Sequence, residues 1–340
     1  MRWHWPHCML WAAGALSAAA AAASPSSLLP ERLGRLLKHA CYSSYHRSGT
    51  ASAVNIADIG CDHGLLSLAL CESIPNSHIY AIDQSPGSRH KVKTLVETSA
   101  VDAHNVRSRL TVLTGDGLEP LIQQGYRADV LVLAGMGVRS MINILSRSTA
   151  TAAAEEEDMH RIDLSALDAL GVSDIILQPW PEHYLAQHHI YKLLLEGFRF
   201  CDQNVDMTTR RGSKRDVFYI TTRFTRRPRL GLGDGGEGVD MHGAGSGLEV
   251  DDESALRQSP LYLKLSRGLL SPLEREVYKG YLRKQRRTVT SRLKGLSPWE
   301  PQTEGLNNDR IRVRVRDEVA FLSILDRMMG EQLSMDAGGV

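Results

Sequence analysis

The sequence lacks the paired cysteines that a zinc site or a disulfide framework requires. Its five cysteines form no CxxC pair and have no spacing typical of zinc ligands. We therefore expect buried free thiols in a reducing compartment and no bound metal. Cys61 could also act as a nucleophile, but no flanking signature supports that role.

Net charge is almost absent, since 40 Lys and Arg residues face 39 Asp and Glu residues. This balance conceals an uneven distribution along the chain. Residues 264–294 hold ten basic and two acidic side chains, whereas residues 231–254 are acidic and rich in glycine. The latter composition predicts a linker or insertion over residues 227–258.

Acidic residues are also missing before Glu31. The apolar, alanine-rich stretch 9–23 has the length of a signal-peptide core and is too short to span a bilayer comfortably. Residues 1–26 are thus predicted to be a targeting segment, with no stable membrane insertion after processing. A secretory signal, an organellar presequence and a cytoplasmic start all stay open at this point.

Short apolar runs alternate with helical patterns from Val54 onward, which is typical of βαβ units and a parallel sheet. Strands are predicted at residues 54–58, 78–82, 110–113, 129–134, 174–178 and 217–222, and helices at 28–39, 65–72, 87–99, 138–146 and 184–196. The expected fold class is α/β, with one Rossmann-like domain over residues 27–226 and an insertion at about 147–164. Two further helical patterns, each with one apolar face, predict a basic α-helical coiled-coil hairpin over residues 259–330.

The most informative motif is ADIGCDHGLL at residues 57–66, where a buried strand turns into a helix. Asp58, Gly60, Asp62 and Gly64 lie in this turn. Such a turn leaves free backbone N–H groups in front of the helix, and glycines let a ligand come close to the backbone. The motif predicts a cofactor site.

Further acidic residues and glycines follow the next three strands. These candidate cofactor residues are Asp83, Gln84, Asp116, Gly117, Gly135, Met136 and Gly137. Asp83 lies about 20 residues after the glycine turn, a spacing that lets a carboxylate bind ribose hydroxyls, and Asp116 could reach an adenine amino group. Together they predict a nucleotide-type cofactor. NAD competes with S-adenosylmethionine (SAM), but the full GxGxxG is absent, and Asp116 with the GMG turn favours SAM.

The motifs ADIGCDHGLL, TGDGL, VLVLAGMG and IILQP closely resemble the bacterial tRNA adenine-22 N1-methyltransferase family (TrmK). The resemblance runs from roughly Leu29 to Leu325 and is interrupted by the two insertions. It implies a Rossmann-like class I SAM-dependent methyltransferase domain, a C-terminal coiled-coil domain, SAM as cofactor and tRNA as partner.

The resemblance also implies a catalytic role for Asp62, because the family's motif carries an aspartate implicated in catalysis. Adenine N1 has an in-plane lone pair and becomes cationic on methylation, so a nearby carboxylate can stabilise the transition state. The neighbouring His63 could transfer a proton or could simply shape the loop.

Gln178, Pro179 and Trp180 follow the fifth strand, where a polar group can bind a flipped base and an aromatic ring can stack on it. The family pattern has Gln-Pro-Asn here, so Trp180 is a departure; it could stack on the base or pack against the next helix. Val138 is a second departure, standing where the family pattern has a third glycine. These changes bear on which base is modified, and whether at N1 or N6.

The basic residues predict an RNA-binding surface beside the ordinary alternative of a solvated face. The candidates are Arg210, Arg211, Lys279, Arg283, Arg286 and Arg287. The last four share one helical face, and Tyr278 and Tyr281 could add stacking surfaces.

These observations predict a SAM-dependent RNA methyltransferase acting on N1 of a tRNA adenine. A methyltransferase of small molecules or proteins is the first alternative, and a degenerate methyltransferase fold that only binds RNA is the second. A secreted protein would find little SAM, so delivery to a plastid or mitochondrion is the more coherent expectation. The sequence identifies no protein partner.

Overall fold

The computed structural model describes most of the predicted α/β domain and part of the C-terminal region. It describes residues 29–47, 53–99, 102–146, 162–180, 184–209, 216–227 and 272–296, together with Val319, Leu322, Ser323, Leu325, Asp326, Arg327 and Gly330. The following lie outside these ranges: the predicted targeting segment, the linker at 227–258 except Arg227, most of the insertion at 147–164, and the RNA-binding candidates Arg210 and Arg211.

Helices and strands alternate along the described chain. In order they are α1 Glu31–Arg47, β1 Val54–Ile59, α2 Leu65–Ser73, β2 Ser77–Asp83, α3 Pro86–Thr98, α4 Ala103–Arg109, β3 Leu110–Thr114, α5 Glu119–Gln124, β4 Val130–Ala134, α6 Val138–Ser146, α7 Leu164–Leu170, β5 Asp174–Gln178, α8 Tyr184–Leu195, β6 Phe198–Thr209, β7 Asp216–Arg226 and α9 Pro272–Leu296. None of the helices in the described ranges is long and apolar enough to cross a membrane.

The strands form one seven-stranded sheet in the order β3-β2-β1-β4-β5-β7-β6. Strand β1 pairs in parallel with β2 and β4, and β2 pairs in parallel with β3. Strands β6 and β7 pair antiparallel, with a bulge between Phe200 and Asp202. The predicted Rossmann-like α/β fold is confirmed, whereas the coiled-coil hairpin is not, because only single residues of its second helix are described.

By its internal contacts the chain divides into two compact units. The first comprises Met1–Ala134 and Ser165–Ile176, and the second comprises Gly135–Leu164 and Leu177–Val340. Each unit buries its own apolar cluster.

The core of the first unit lies between strands β1, β2 and β4 and helices α1 and α2. Ile56, Leu68 and Ile79 are fully buried there, as the continuous apolar runs predict for strands of a parallel sheet. Arg109 closes the end of α2, since its guanidinium donates to the backbone oxygens of Cys71 (2.6 Å) and Ile74 (3.0 Å). A cation at this position satisfies terminal carbonyls and complements the helix dipole.

The core of the second unit is formed by the β6–β7 hairpin and α9. Phe218 and Ile220 of β7 pack in one cluster with Tyr278, Tyr281 and Leu282 of α9. Tyr278 and Tyr281 are only 1% and 2% exposed, so the prediction that they offer stacking surfaces to RNA is wrong. Their rings belong to the apolar face that attaches α9 to the hairpin.

Candidate functional site

Asp58 lies at the buried end of β1, beneath the turn that leads into α2. Its side chain is 3% exposed and accepts a hydrogen bond of 2.6 Å from the Ser67 hydroxyl. The pKa of Asp58 is raised to about 6, chiefly by burial; the hydrogen bond from Ser67 opposes the shift, and the charge of Asp83 adds to it. The structure thus places Asp58 as a supporting group under the turn.

The backbone of the turn is attached to the end of β2. The amides of Gly60 and Cys61 both donate to the carbonyl oxygen of Ile82, at 2.8 and 3.1 Å. The amide of Asp62 donates to Oδ2 of Asp83 at 3.0 Å. These three amides therefore donate within the protein, so they are not the free backbone N–H groups that were expected at the turn.

The two glycines of the turn serve different purposes. A Cβ on Gly64 would lie 2.6 Å from Cγ2 of Val92 on α3, and its φ of +75° disfavours other residues. Gly64 is therefore required by the packing of α3. Gly60 has a φ of +79° and is exposed, so it is the glycine at which a ligand can approach the backbone.

Asp62 is held in an unusual conformation between two neighbours. Its φ of +46° makes it the one non-glycine residue with positive φ in the described ranges. Its Oδ1 lies 2.7 Å from Nζ of Lys91, and its Oδ2 lies 3.5 Å from Nε2 of His63. The Asp62 side chain remains 43% exposed, so its carboxylate is accessible to a ligand.

Lys91 is a site residue that the sequence patterns did not indicate. It lies on α3, and 29 positions separate it from Asp62. No motif marks it, because the contact depends on how α3 packs beside the turn.

The carboxyl ends of β2 and β3 bring the other acidic candidates together. Asp83 is partly exposed, and its Oδ1 accepts a hydrogen bond of 2.8 Å from the amide of Ser85. Gln84 donates from its side-chain amide to Oδ1 of Asp116, while the amide of Gly115 donates to the carbonyl oxygen of Asp83 at 3.1 Å. Asp83, Gln84 and Asp116 thus form a rim of hydrogen-bonding groups beside the turn, and their binding of a cofactor stays a prediction.

This arrangement offers hydrogen-bond acceptors and negative charge of the kind that a nucleoside with a cationic group can use. Carboxylates of Asp62, Asp83 and Asp116 can accept from hydroxyl and amino groups, and the buried Asp58 adds negative charge. Cys61 lies among them in a buried position, where burial and then the three carboxylates at 58, 83 and 62 raise its pKa. A thiol kept protonated in this way is a poor nucleophile.

In the second unit, the turns after β4 and β5 are joined by two backbone hydrogen bonds. The amide of Gly135 donates to the carbonyl oxygen of Gln178 (2.9 Å), and the amide of Trp180 donates to that of Met136 (2.8 Å). The Gln178 side chain is fully buried and donates to the Thr221 hydroxyl at 2.7 Å. The Gln178 side chain therefore contacts strand β7 of the sheet, and its predicted hydrogen bond to a flipped base stays a prediction.

Trp180 is 48% exposed, while Pro179 beside it is buried. Gly137 accepts a hydrogen bond of 3.1 Å from the amide of Met141 at the start of α6. Val138, which stands in place of the family's third glycine, is 3% exposed. The valine thus packs into the protein, and the tryptophan offers half of its surface to solvent.

The basic candidates on α9 differ in accessibility. Arg283 and Arg287 are exposed, and Arg286 is exposed but paired with Asp326. The Lys279 side chain is 17% exposed and lies 2.9 Å from Glu276. The exposed basic surface in this part of the chain is therefore centred on the three arginines. The described residues contain no cluster of three His, Cys, Asp or Glu side chains suited to a metal ion.

The fold and the turn define the class of this protein. Residues 48–160 match the family model described as a methyltransferase domain, and the predicted cofactor SAM agrees with that match. A solved protein of the NADB-Rossmann superfamily from Streptococcus agalactiae is 16% identical, with a TM-score of 0.51, over 88% of this chain and 97% of its own. The chain has a Rossmann-like methyltransferase fold.

Among solved structures with this fold is the m1A22 tRNA methyltransferase TrmK of B. subtilis. It is 18% identical, with a TM-score of 0.54, and the alignment covers 88% of this chain and 98% of that one. An uncharacterized protein from Listeria monocytogenes is 16% identical with a TM-score of 0.55, over 88% and 99% of the two chains. No curated protein matches the chain by sequence. The resemblance to TrmK predicted from the motifs is thus confirmed at the level of the fold.

Proposed function

We propose that this chain is a SAM-dependent RNA methyltransferase that transfers a methyl group to N1 of an adenine in tRNA. The observation that carries the proposal is the Asp62 turn: an accessible carboxylate, held at a left-handed position, beside a rim of nucleoside-binding groups. The TrmK-like fold over most of the chain supports the RNA substrate.

The cofactor would be held by the first unit. Asp83 would accept hydrogen bonds from the ribose hydroxyls, Asp116 with its partner Gln84 would bind the adenine end, and Gly60 would allow close approach. The acidic side chains favour the positive charge of the cofactor. When bound, SAM supplies an electrophilic methyl group on a sulfonium centre.

Asp62 would act on the substrate base. Adenine N1 carries a lone pair in the ring plane, so it needs no deprotonation before it attacks; the main requirement is in-line positioning. Positive charge develops on the ring during the reaction, and a fixed carboxylate stabilises it. The same carboxylate can accept a hydrogen bond from the exocyclic amine. Lys91 and His63 hold it in place.

Trp180 and the α9 arginines would contribute RNA contacts in the second unit. The half-exposed indole can stack on a base, which would favour a substrate with an extruded nucleotide. Arg283 and Arg287 are exposed and can contact phosphates. We also propose that the enzyme works in a plastid or mitochondrion, because residues 9–23 are apolar and rich in alanine and no acidic residue precedes Glu31.

The test is methylation of unmodified tRNA by the full-length protein with labelled SAM, followed by nucleoside mass spectrometry. We expect N1-methyladenosine in the product, and Asp62→Asn should yield far less of it. N6-methyladenosine alone would refute the N1 assignment. SAM binding without RNA methylation would favour a small-molecule or protein substrate, and no SAM binding would favour an RNA-binding module.

A further inference from the structure

Helix α1 has one face that is buried in the first unit. This face packs against the core strands and α2 and contains Leu36, Leu37, Ala40, Ser43 and Ser44. These positions follow the helical repeat of 3.6 residues and fix how the helix is rotated on the sheet. The opposite face is consequently directed to solvent.

Two tyrosines dominate this opposite face. Tyr42 is 51% exposed and Tyr45 is 78% exposed. With Lys38, which is also exposed, they have the spacing i, i+4 and i+7 and so lie in one row along the helix. The partly exposed Arg35 is three residues before Lys38 and extends the row. Exposed large apolar side chains are few in the described residues, and two of them stand side by side here.

The charge of α1 identifies the kind of partner. The helix carries Arg32, Arg35, Lys38 and Arg47 against a single acidic residue, Glu31. Positive charge interleaved with aromatic rings is the pattern used by surfaces that bind single-stranded nucleic acid, because phosphates pair with the cations and bases stack on the rings. An acidic protein partner would complement the positive charge of the helix, but it would not account for two exposed rings.

We infer that the α1 face formed by Arg35, Lys38, Tyr42 and Tyr45 binds an unpaired segment of the RNA substrate. The tyrosine rings stack on bases, and Lys38 and Arg35 contact the adjoining phosphates. This inference rests on the proposed function, since it names a second RNA contact of the same enzyme. It assigns substrate binding to the first unit in addition to the α9 arginines.

The test compares affinities for unmodified tRNA by fluorescence anisotropy, using full-length variants with both tyrosines changed. The double change Tyr42→Ala with Tyr45→Ala should weaken binding by about 30-fold or more, as expected for the loss of two stacked bases. The double change to Phe keeps the rings and should bind within about twofold of the parent protein. Lys38→Gln should reduce affinity and its salt dependence, whereas Lys93→Gln, which removes the charge of an exposed lysine on α3, serves as the control.

Three further readouts separate the possible outcomes. SAM affinity should not change in any of these variants. In the double-Ala and Lys38→Gln proteins, methylation at saturating RNA should keep its kcat while the KM for RNA rises. Equal RNA affinity in the parent and the double-Ala protein would overturn the inference, as would a parent dimer that the double-Ala change dissociates. Failure of the parent protein to methylate RNA would refute the proposed function, yet the binding comparison would still decide whether α1 binds RNA.

Discussion

Replacing Asp62 with Asn, Gly and Ala separates the chemistry of its carboxylate from the conformation of its backbone. Asp62 has a φ of +46°, a region that Asn and Gly enter easily and Ala enters at a cost of about 1–2 kcal/mol. Asn keeps the size of the side chain and removes the charge, while Gly removes the side chain and relaxes the backbone. Only Ala combines loss of the carboxylate with backbone strain.

The expected effects on stability are small and ordered. The ion pair with Lys91 joins side chains that are 43% and 41% exposed, so its loss costs at most about 1 kcal/mol. The Asp62→Asn and Asp62→Gly variants should therefore have a Tm within about 2–4 °C of that of the parent protein, and the Asp62→Ala variant should have a lower Tm than either. Thermal unfolding followed by circular dichroism gives this order.

The expected effects on activity follow a different order. If the carboxylate stabilises the methylated ring, all three variants lose it equally, and kcat should fall by about 100-fold or more in each. SAM affinity, measured by calorimetry, should change little, because Asp83 and Asp116 are intact. A Gly or Asn variant with near-parental kcat would refute the reasoning, since it would show that only the backbone conformation matters at this position.

Three further substitutions test the supporting structure of the turn. Asp83→Asn should weaken SAM binding by about tenfold in calorimetry through loss of a charged acceptor, and unchanged affinity would contradict the ribose contact. The pKa of Asp58 in the folded protein is about 6, above its ordinary value of 3.8, so the stability contributed by its protonated form is complete below about pH 4 and is lost as the pH rises through 6. Asp58→Asn should therefore raise Tm relative to the parent protein at pH 7 but not at pH 4. An equal difference in Tm at both pH values would contradict the raised pKa. Gly64→Ala should lower Tm because its Cβ would meet Val92 at 2.6 Å, whereas Gly34→Ala, with no atom within 4 Å, should leave Tm unchanged or higher; similar losses in both would refute the packing argument.

Strands β1 to β5 were predictable from sequence because they are short apolar runs, the first four of which end in or are followed by an acidic residue or a glycine. Strand β5 has the predicted bounds, β1, β3 and β4 differ from them by one residue at one end, and β2 is one residue longer at each end. Strand β6 was missed because its centre reads Asp202-Gln203-Asn204, residue types that are rare in strands. Gln203 is nevertheless fully buried and donates to Thr222 of β7, so tertiary hydrogen bonding outweighs the low strand propensity.

The missed helices are α4, α5 and α7, each of six or seven residues. Such helices are shorter than the window in which a 3.6-residue period can be recognised. Asp102 was the available signal for α4, since its carboxylate accepts from the amides of His104 and Asn105 as an N-cap residue does.

The candidate site was predicted in its residues more completely than in their environment. Gln84 and Asp116 meet as their positions after adjacent strands suggest. The contact of Gln178 with Thr221 and that of Lys91 with Asp62 depend on the packing of distant elements. Sequence motifs indicate which side chains could contact a ligand. They do not indicate which of these side chains instead bind other residues of the protein.

The contacts of α3 with the cofactor turn also bear on the kinetics of ligand association. Two consecutive residues of this helix hold the turn, Val92 by packing on Gly64 and Lys91 by pairing with Asp62. A loop clamped in this way has little conformational entropy left to lose when a ligand arrives. Association should then proceed in a single fast phase, and the affinity should be governed by the rate at which the ligand leaves. Without the Val92 or the Lys91 contact, the turn would be less ordered in the free protein, and the conformational entropy lost in ordering it would weaken ligand binding.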